Sequence, residues 1–195
     1  MVEAGKGKPQ AGKGRRQALV RAAFGRIAEK GFEGLRLRDV AAEVGIDHST
    51  LHHYFATKED LVAGVINDAT RQFWPTMPPE GGATDRLQYH LAALGRMIRE
   101  QPALFTVMGE LDLRARRDPA IRAIIDRHEQ GWRIVLDQVL RRAAKEGALT
   151  QHLDVATGVE LIIAAVKGIG QLPDRAQDVL AQLNGLLTGR RPDGT

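Results

Sequence analysis

The sequence predicts an all-α protein with a small N-terminal domain of three helices and a larger helical C-terminal domain. From Arg15 onward, apolar residues recur at intervals of three and four, which is the spacing of one helix face. No segment shows the alternation of apolar and polar residues that a half-buried strand requires. Prolines and glycines fall between the periodic segments, where they begin or end helices.

The composition is that of a globular protein, and it excludes several kinds of functional site. The 195 residues are 43% hydrophobic and 27% charged, which is ordinary for a globular protein. No stretch approaches the roughly 18 apolar residues of a membrane span, and the N-terminus lacks the apolar region of a secretory signal. We therefore expect a cytoplasmic protein with no membrane partner. The lack of cysteine excludes disulfides, thiolate metal sites and cysteine nucleophiles.

Positive charge is concentrated at the N-terminus. The formal net charge is +4 and the pI is about 9.7. The first sixteen residues contain one acidic residue, Glu3, and five basic residues, namely Lys6, Lys8, Lys13, Arg15 and Arg16. Glycines separate these charges, so residues 1–14 are predicted to be a basic tail that is disordered when free and contacts phosphates when bound.

Two apolar stripes predict the first two helices. The first stripe is followed by Gly31, which suits a left-handed C-cap, and consists of Leu19, Val20, Ala23, Phe24, Ile27 and Ala28. The second helix is short, ends at Gly45, and carries Leu37, Val40, Ala41 and Val44.

A third helix is predicted from His48 through Tyr54. Asp47 is placed as its N-cap, with a carboxylate that accepts hydrogen bonds from the first-turn amides. Thr57 then caps a fourth helix, and Asp60 at its third position gives a variant capping box.

The Pro- and Gly-rich segment 75–84 is the clearest break in the chain. It lies within the second domain, because the fourth helix is expected to bridge the two domains. Five further helices are predicted at 85–101, 102–117, 119–145, 154–170 and 173–188. The predicted domains are a helix-turn-helix domain at 15–60 and a C-terminal domain at 61–190, followed by a tail at 191–195.

The third helix presents a polar surface. With Leu51 and Phe55 facing inward, Ser49 and His53 point outward, and Thr50 and His52 flank them. A short polar helix joined to a preceding short helix is typical of the helix-turn-helix, whose second helix enters the major groove of DNA. Side chains of these types can donate to or accept from base edges.

Residues 15–61 resemble the DNA-binding domain of the tetracycline-repressor (TetR) family. The segments that carry the resemblance are ALVRAAFGRIAEKGFEGLRLRDVAAEVGID and HSTLHHYFATKEDL. The resemblance implies that Lys58 and Tyr54 bind DNA phosphate and that Arg38 contacts DNA. It also implies a base-reading surface formed by His48, Ser49, Thr50 and His53.

Three positions depart from the family pattern. Arg36 stands where the family usually has a Thr or Ser N-cap, so a cap is lost and a candidate phosphate contact is gained. Asp47 replaces the usual Ser and is expected to keep the cap. His52 replaces the usual Tyr and changes the contacts expected there. The expected DNA-binding residues are therefore Arg36, Arg38, His48, Ser49, Thr50, His52, His53, Tyr54 and Lys58.

Three other kinds of function are alternatives to DNA binding. A metal site at His48 and His52 lacks a third ligand, and Ser49 stands where a metalloprotease helix needs Glu. The enzyme interpretation lacks support, because no Ser/His/Asp order, phosphate-binding glycine loop or pair of carboxylates stands out in the sequence. A helical module that binds lipid or protein remains as an alternative. We expect no catalytic residue, no metal and no cofactor.

The C-terminal domain of the TetR family holds an inducer pocket, so the resemblance implies an unidentified small-molecule ligand. His128 lies on an apolar stripe, where the default interpretation is a hydrogen-bonded core histidine and the alternative is a ligand contact. The candidate ligand-binding residues, each of which also fits a plain core position, are His90, Met97, Phe105, Met108, His128 and Trp132.

The helix at 154–170 is apolar on two faces, and the helix at 173–188 adds another apolar stripe. A second copy could cover the outer face, as in the family's dimer, or the face could belong to an intrachain core. We expect a homodimer formed through residues 154–188. The predicted function is transcription regulation by a repressor that binds a palindromic double-stranded DNA operator and is released by a small molecule.

Overall fold

The computed structural model describes residues 8–78 and 80–189, and within these ranges it contains helices and turns but no strand. The all-α prediction is confirmed. The nine α-helices of the described ranges are α1 Lys8–Lys30, α2 Leu37–Glu43, α3 His48–Leu51, α4 Lys58–Arg71, α5 Ala83–Glu100, α6 Pro102–Ala115, α7 Pro119–Lys145, α8 Val155–Ile169 and α9 Ala176–Thr188. Single 3-10 turns lie at Phe32–Gly34, Trp74–Thr76 and Pro173–Arg175.

Helix α1 begins earlier than the sequence pattern indicated. It starts at Lys8, so residues 8–14 of the predicted basic tail are helical, whereas residues 1–7 lie outside the described residues. Pro9 does not prevent this start, because a proline in the first helical turn removes no intrahelical hydrogen bond. The predicted tail at 191–195 also lies outside the described residues.

Helix α3 is shorter than predicted. It ends at Leu51, and the N–H groups of His53 and Tyr54 donate three residues back, to Thr50 and Leu51, at 3.1 and 2.9 Å. The chain after Leu51 is therefore a tighter turn of the 3-10 type.

The capping predictions divide between the two helices. Asp47 occupies the N-cap position of α3 as predicted, but the predicted hydrogen bond from its carboxylate is wrong, since the side chain makes no capping bond; the carboxylate is exposed, and hydration competes with the amides. The capping box of α4 is confirmed. Asp60 N–H donates to Thr57 Oγ1 at 3.0 Å, and Thr57 N–H donates to Asp60 Oδ2 at 3.1 Å.

Two apolar cores divide the chain, and α4 contributes to both. Its Leu61, Val65 and Ile66 pack with α1, α2 and α3, whereas Ala69 packs in the larger core formed mainly by α5 to α9. Residues of α6 and α7, among them Leu111, also enter the smaller core. The two predicted domains therefore share packed helices across the boundary at residues 60 and 61.

The last two helices cover one side of the C-terminal domain. Ile162 and Val166 of α8 and Leu180 and Leu183 of α9 are buried in the larger core. The opposite side of the same helices is exposed and includes Leu161. Within residues 8–78 and 80–189, none of the helices combines the length and the hydrophobicity that a membrane span needs.

Candidate nucleic-acid interface and ligand cavity

Helices α2 and α3 form a helix-turn-helix with a polar outer surface. Val40 and Leu51 are buried between the helices, and Gly45 adopts a φ of 70° in the connection. That backbone conformation favours glycine. Six of the predicted DNA-binding residues are exposed around this unit, namely Arg36, Arg38, His48, Ser49, His52 and His53, while Thr50, Tyr54 and Lys58 are half-buried. Arg36 occupies the N-cap position of α2 without a side-chain capping bond.

His52 closes the turn that follows α3. Its Nδ1 lies 3.1 Å from the carbonyl oxygen of Ala56. Because a carbonyl only accepts, Nδ1 carries the proton and donates, which leaves Nε2 facing outward. The His48 ring packs edge-on against the His52 ring, with centroids 4.7 Å apart. The histidine in the usual Tyr position therefore shapes the surface that His48 presents.

Lys58 stands at the first position of α4, directly after the Thr57 cap. The N-terminus of a helix and a lysine together form an anion-binding arrangement. In the free chain the Lys58 ammonium lies 4.4 Å from the centroid of the Phe32 ring. Burial lowers the pKa of Lys58, and the nearby charge of Glu33 opposes that effect.

Residues outside the predicted set also approach this surface. Arg16 of α1 lies over the Phe55 ring at 4.4 Å, beside Tyr54 in the chain. Arg114 of α6 lies over the Phe32 ring at 4.9 Å and pairs with Glu33 at 3.4 Å. Arg114 was not predicted from the sequence, because it lies 82 residues after Phe32 and no local pattern shows that α6 packs there.

The C-terminal domain contains a cavity of about 610 Å³. Most of its wall is apolar, and α4, α5, α6, α7 and α8 all contribute residues. Five of the six predicted ligand-binding residues line it, namely His90, Phe105, Met108, His128 and Trp132. Met97 does not line it. Residues 86, 90 and 94 of α5 face the cavity, whereas Met97, three residues further along the helix, packs against the larger core.

The side chains of His90 and Trp132 are hydrogen-bonded to each other in the cavity wall. The indole N–H of Trp132 donates to His90 Nε2 at 3.0 Å, so the proton of the neutral ring is on Nδ1. Nδ1 in turn donates to Thr76 Oγ1 at 2.9 Å, and that hydroxyl donates to the Phe73 carbonyl at 2.5 Å. Burial lowers the pKa of His90 to about 4. His90 therefore has no free polar atom for a ligand.

His128 connects the cavity to α4. Its Nε2 donates to the Asn67 side-chain oxygen at 2.9 Å, which leaves Nδ1 as an acceptor. Burial lowers the pKa of His128, and the charge of Arg127 acts in the same direction. The residue is both hydrogen-bonded and cavity-lining, so the two alternatives considered for it are compatible.

A network of charged residues lies at another part of the wall. The Lys167 ammonium pairs with Asp112 at 3.2 Å and also with Glu129. Glu129 in turn pairs with Arg133 at 3.2 Å. Burial raises the pKa of Asp112, and Lys167 opposes that effect. Within 8–78 and 80–189, no group of three or more metal-ligating side chains is suited to hold an ion.

Comparison with known proteins gives consistent matches. Residues 19–65 match the sequence model of the family described as "Bacterial regulatory proteins, tetR family". The chain is 28% identical over 145 residues to the HTH-type transcriptional repressor KstR2 of Mycobacterium tuberculosis (strain ATCC 25618 / H37Rv), with 72% of each chain covered. It is 22% identical over 176 residues to the fatty acid metabolism regulator protein of Bacillus subtilis (strain 168), covering 87% of this chain and 90% of that protein.

A solved structure shares the fold. The crystal structure of AibR in complex with isovaleryl coenzyme A and operator DNA aligns with a TM-score of 0.73 and 20% identity. The alignment covers 89% of this chain and 98% of AibR.

Proposed function

We propose that this chain, which belongs to the TetR family of bacterial transcriptional regulators, is a homodimeric repressor. In this proposal it binds a palindromic operator and releases it when a small molecule occupies the cavity. The observation that carries the proposal is the exposed polar surface of α2 and α3 beside Lys58 at the start of α4.

Two kinds of DNA contact are available on this surface. Lys58 and the first-turn amides of α4 suit phosphate oxygens, which fix the position of a protein on the duplex. Ser49 and His53 are exposed on the other side of the turn and suit base edges, which carry the sequence information. A surface with both kinds of group supports sequence-selective binding.

The exposed side of α8 and α9 supports a dimer. Four large apolar side chains on these helices and in the connection between them are between 38% and 63% exposed, namely Leu161, Leu172, Val179 and Leu186. Complete burial of an exposed side chain of this size contributes roughly 1.5–3 kcal/mol, so covering the area that is still exposed would stabilise a dimer by a part of that amount for each side chain. A two-fold dimer also supplies the two reading helices that a palindrome requires.

Helices shared by the two sites support release by a ligand. Helix α4 carries Lys58 at its start and Ile66 and Thr70 in the cavity wall. Helix α6 carries Met108 in the cavity wall and Glu110 against the N-terminal domain. A ligand that favours one arrangement of these helices would change the population of the DNA-binding arrangement.

The names of the relatives support repression and the two kinds of partner. KstR2 is named a repressor, and the AibR structure contains isovaleryl coenzyme A and operator DNA. The family is one of regulators, so neither site requires a reaction.

In-vitro selection from a random duplex library with the full chain tests the proposal. The expected result is a palindromic consensus bound by two chains, as measured by sedimentation of the protein–DNA complex. Leu186→Glu should weaken both dimerisation and operator binding. The matched control is Leu113→Glu, because Leu113 on α6 is 60% exposed and Leu186 is 63% exposed. A selection that yields no consensus, or a consensus bound by one chain, would contradict the proposal.

A further inference from the structure

The cavity wall carries more positively charged than negatively charged side chains. Among the described residues that line the cavity, the charged side chains are Arg86, Asp112, Arg127, Glu129 and Lys167. The rest of the wall is dominated by aromatic, methionine and aliphatic side chains, which favour an apolar ligand. The polarity of a ligand is therefore decided by these few charges.

Both carboxylates already have partners. Asp112 and Glu129 share the ammonium of Lys167, and Glu129 also pairs with Arg133. The carboxylates and the lysine are thus engaged within the protein. None of them requires a charge from a ligand.

Arg86 is a charge without an ion pair among the described residues, and it is also partly withdrawn from water. It is half-buried, and its Nε donates to the Pro78 carbonyl at 2.8 Å. It forms no ion pair with any residue in 8–78 or 80–189. A guanidinium is always charged and has five donors, so its terminal nitrogens keep hydrogen-bonding capacity. A cation withdrawn from water beside an apolar wall is stabilised by a bound anion.

Three of the neutral polar side chains in the wall are already hydrogen-bonded within the protein. His90 and Trp132 are bonded to each other, and the Thr70 hydroxyl donates to the Ile66 carbonyl at 2.8 Å. Arg127 adds positive charge to the same wall without an ion pair among the described residues, although it is exposed. The free charge that faces a ligand is therefore positive.

We propose that the cavity binds an apolar carboxylic acid, with its carboxylate held by Arg86 and its hydrophobic body packed against the aromatic wall. A guanidinium can bind a carboxylate through two parallel hydrogen bonds, which selects an acid over an alcohol or amine of equal size. A cavity of about 610 Å³ is within the range that encloses small molecules. This assignment rests on the proposed function, which makes the cavity the ligand site.

Calorimetric titration of the full chain without DNA tests the assignment. The probes are decanoic acid, 1-decanol and decylamine, which share one hydrophobic chain. Wild-type protein should bind decanoate more tightly than decanol by on the order of tenfold or more, as expected for a hydrogen-bonded charge pair. Arg86→Met should lose this preference and keep its affinity for decanol. Arg86→Lys, which keeps the charge but not the paired donors, should retain part of it.

Arg96→Met is the matched control, because Arg96 is exposed on the same helix and does not line the cavity. It should behave as wild type. Equal binding of acid and alcohol, preference for decylamine, absence of binding by all three probes, or a preference that survives in Arg86→Met would overturn the assignment. Failure of the proposed function would appear separately, as the lack of a palindromic consensus in the DNA selection.

Discussion

The carboxylate of Glu110 accepts a hydrogen bond from the backbone N–H of Phe32 at 3.1 Å, and so joins α6 to the 3-10 turn that follows α1. One turn later on α6, Arg114 lies over the Phe32 ring and pairs with Glu33. The same ring contacts the Lys58 ammonium. The helix that lines the cavity therefore holds the ring against which the candidate phosphate-binding lysine rests.

Glu110→Ala should lower the free energy of unfolding by about 1–3 kcal/mol, the cost of leaving a part-buried amide without its charged acceptor. Urea denaturation of wild type and variant measures this difference. Glu29→Ala is the control, because Glu29 is exposed on α1 and forms no hydrogen bond or ion pair with a described residue. Equal stability of the two variants would show that the Glu110 contact contributes nothing.

Alanine at two glycines of the α1 region should have effects of opposite sign. Gly31 has a φ of 67°, and an added Cβ would lie 3.0 Å from Glu110 Oε2. Gly31→Ala should therefore destabilise the fold by more than about 1 kcal/mol. Gly25 is helical with open space beside it, so Gly25→Ala should stabilise by about 0.5–1 kcal/mol. Thermal unfolding of both variants measures the signs; a stabilising Gly31→Ala would refute the packing argument.

Lys58→Ala should weaken binding to the selected operator and to unrelated duplexes by similar factors. A lysine that neutralises one phosphate releases about one counterion, so the slope of log K against log salt should fall by about one unit. Fluorescence anisotropy across a salt series measures both quantities. Lys145→Ala, at an exposed position near the end of α7, should leave them unchanged. A loss confined to one base pair would exclude a phosphate contact.

His53→Ala should relax the operator preference at particular positions. Loss of a good base contact costs about 1–3 kcal/mol at that position and little on unrelated DNA. Repeating the selection with the variant shows which positions change. His152→Ala is the control, since His152 is exposed in the connection between α7 and α8. An identical consensus from His53→Ala would remove this residue from base reading.

The stability of the fold should decline below neutral pH because His90 is buried as a neutral ring. Its pKa is lowered from 6.5 to about 4 by burial, so the unfolded chain binds a proton that the folded chain excludes. Stability is full above the unfolded pKa and is lost as the pH falls toward the folded value. The loss from pH 7 to pH 5 should be about 2 kcal/mol. Chemical denaturation at both pH values should show a smaller loss for His90→Gln; an equal loss would mean that other groups cause it.

The sequence was most informative where a local rule decides the structure. Thr57 and Asp60 form the predicted capping box because their hydrogen bonds span three residues. Pro119 begins α7 as expected, since proline suits the first helical position. Prediction was poorer where local and solvent effects compete. Asp47 left its cap unmade, and α1 extended to Lys8 through a segment whose glycines had indicated a tail.

The sequence by itself determined the helical class, the helix-turn-helix and the polar surface that includes Ser49 and His53, because the spacing of the apolar residues Leu51 and Phe55 determines which neighbouring side chains remain exposed. Only the tertiary structure decided which charges are paired. Asp112, Glu129 and Lys167 come from three helices, whereas Arg86 faces the same cavity without a carboxylate. Such pairings depend on how whole helices pack against one another, and no local spacing along the chain encodes that arrangement.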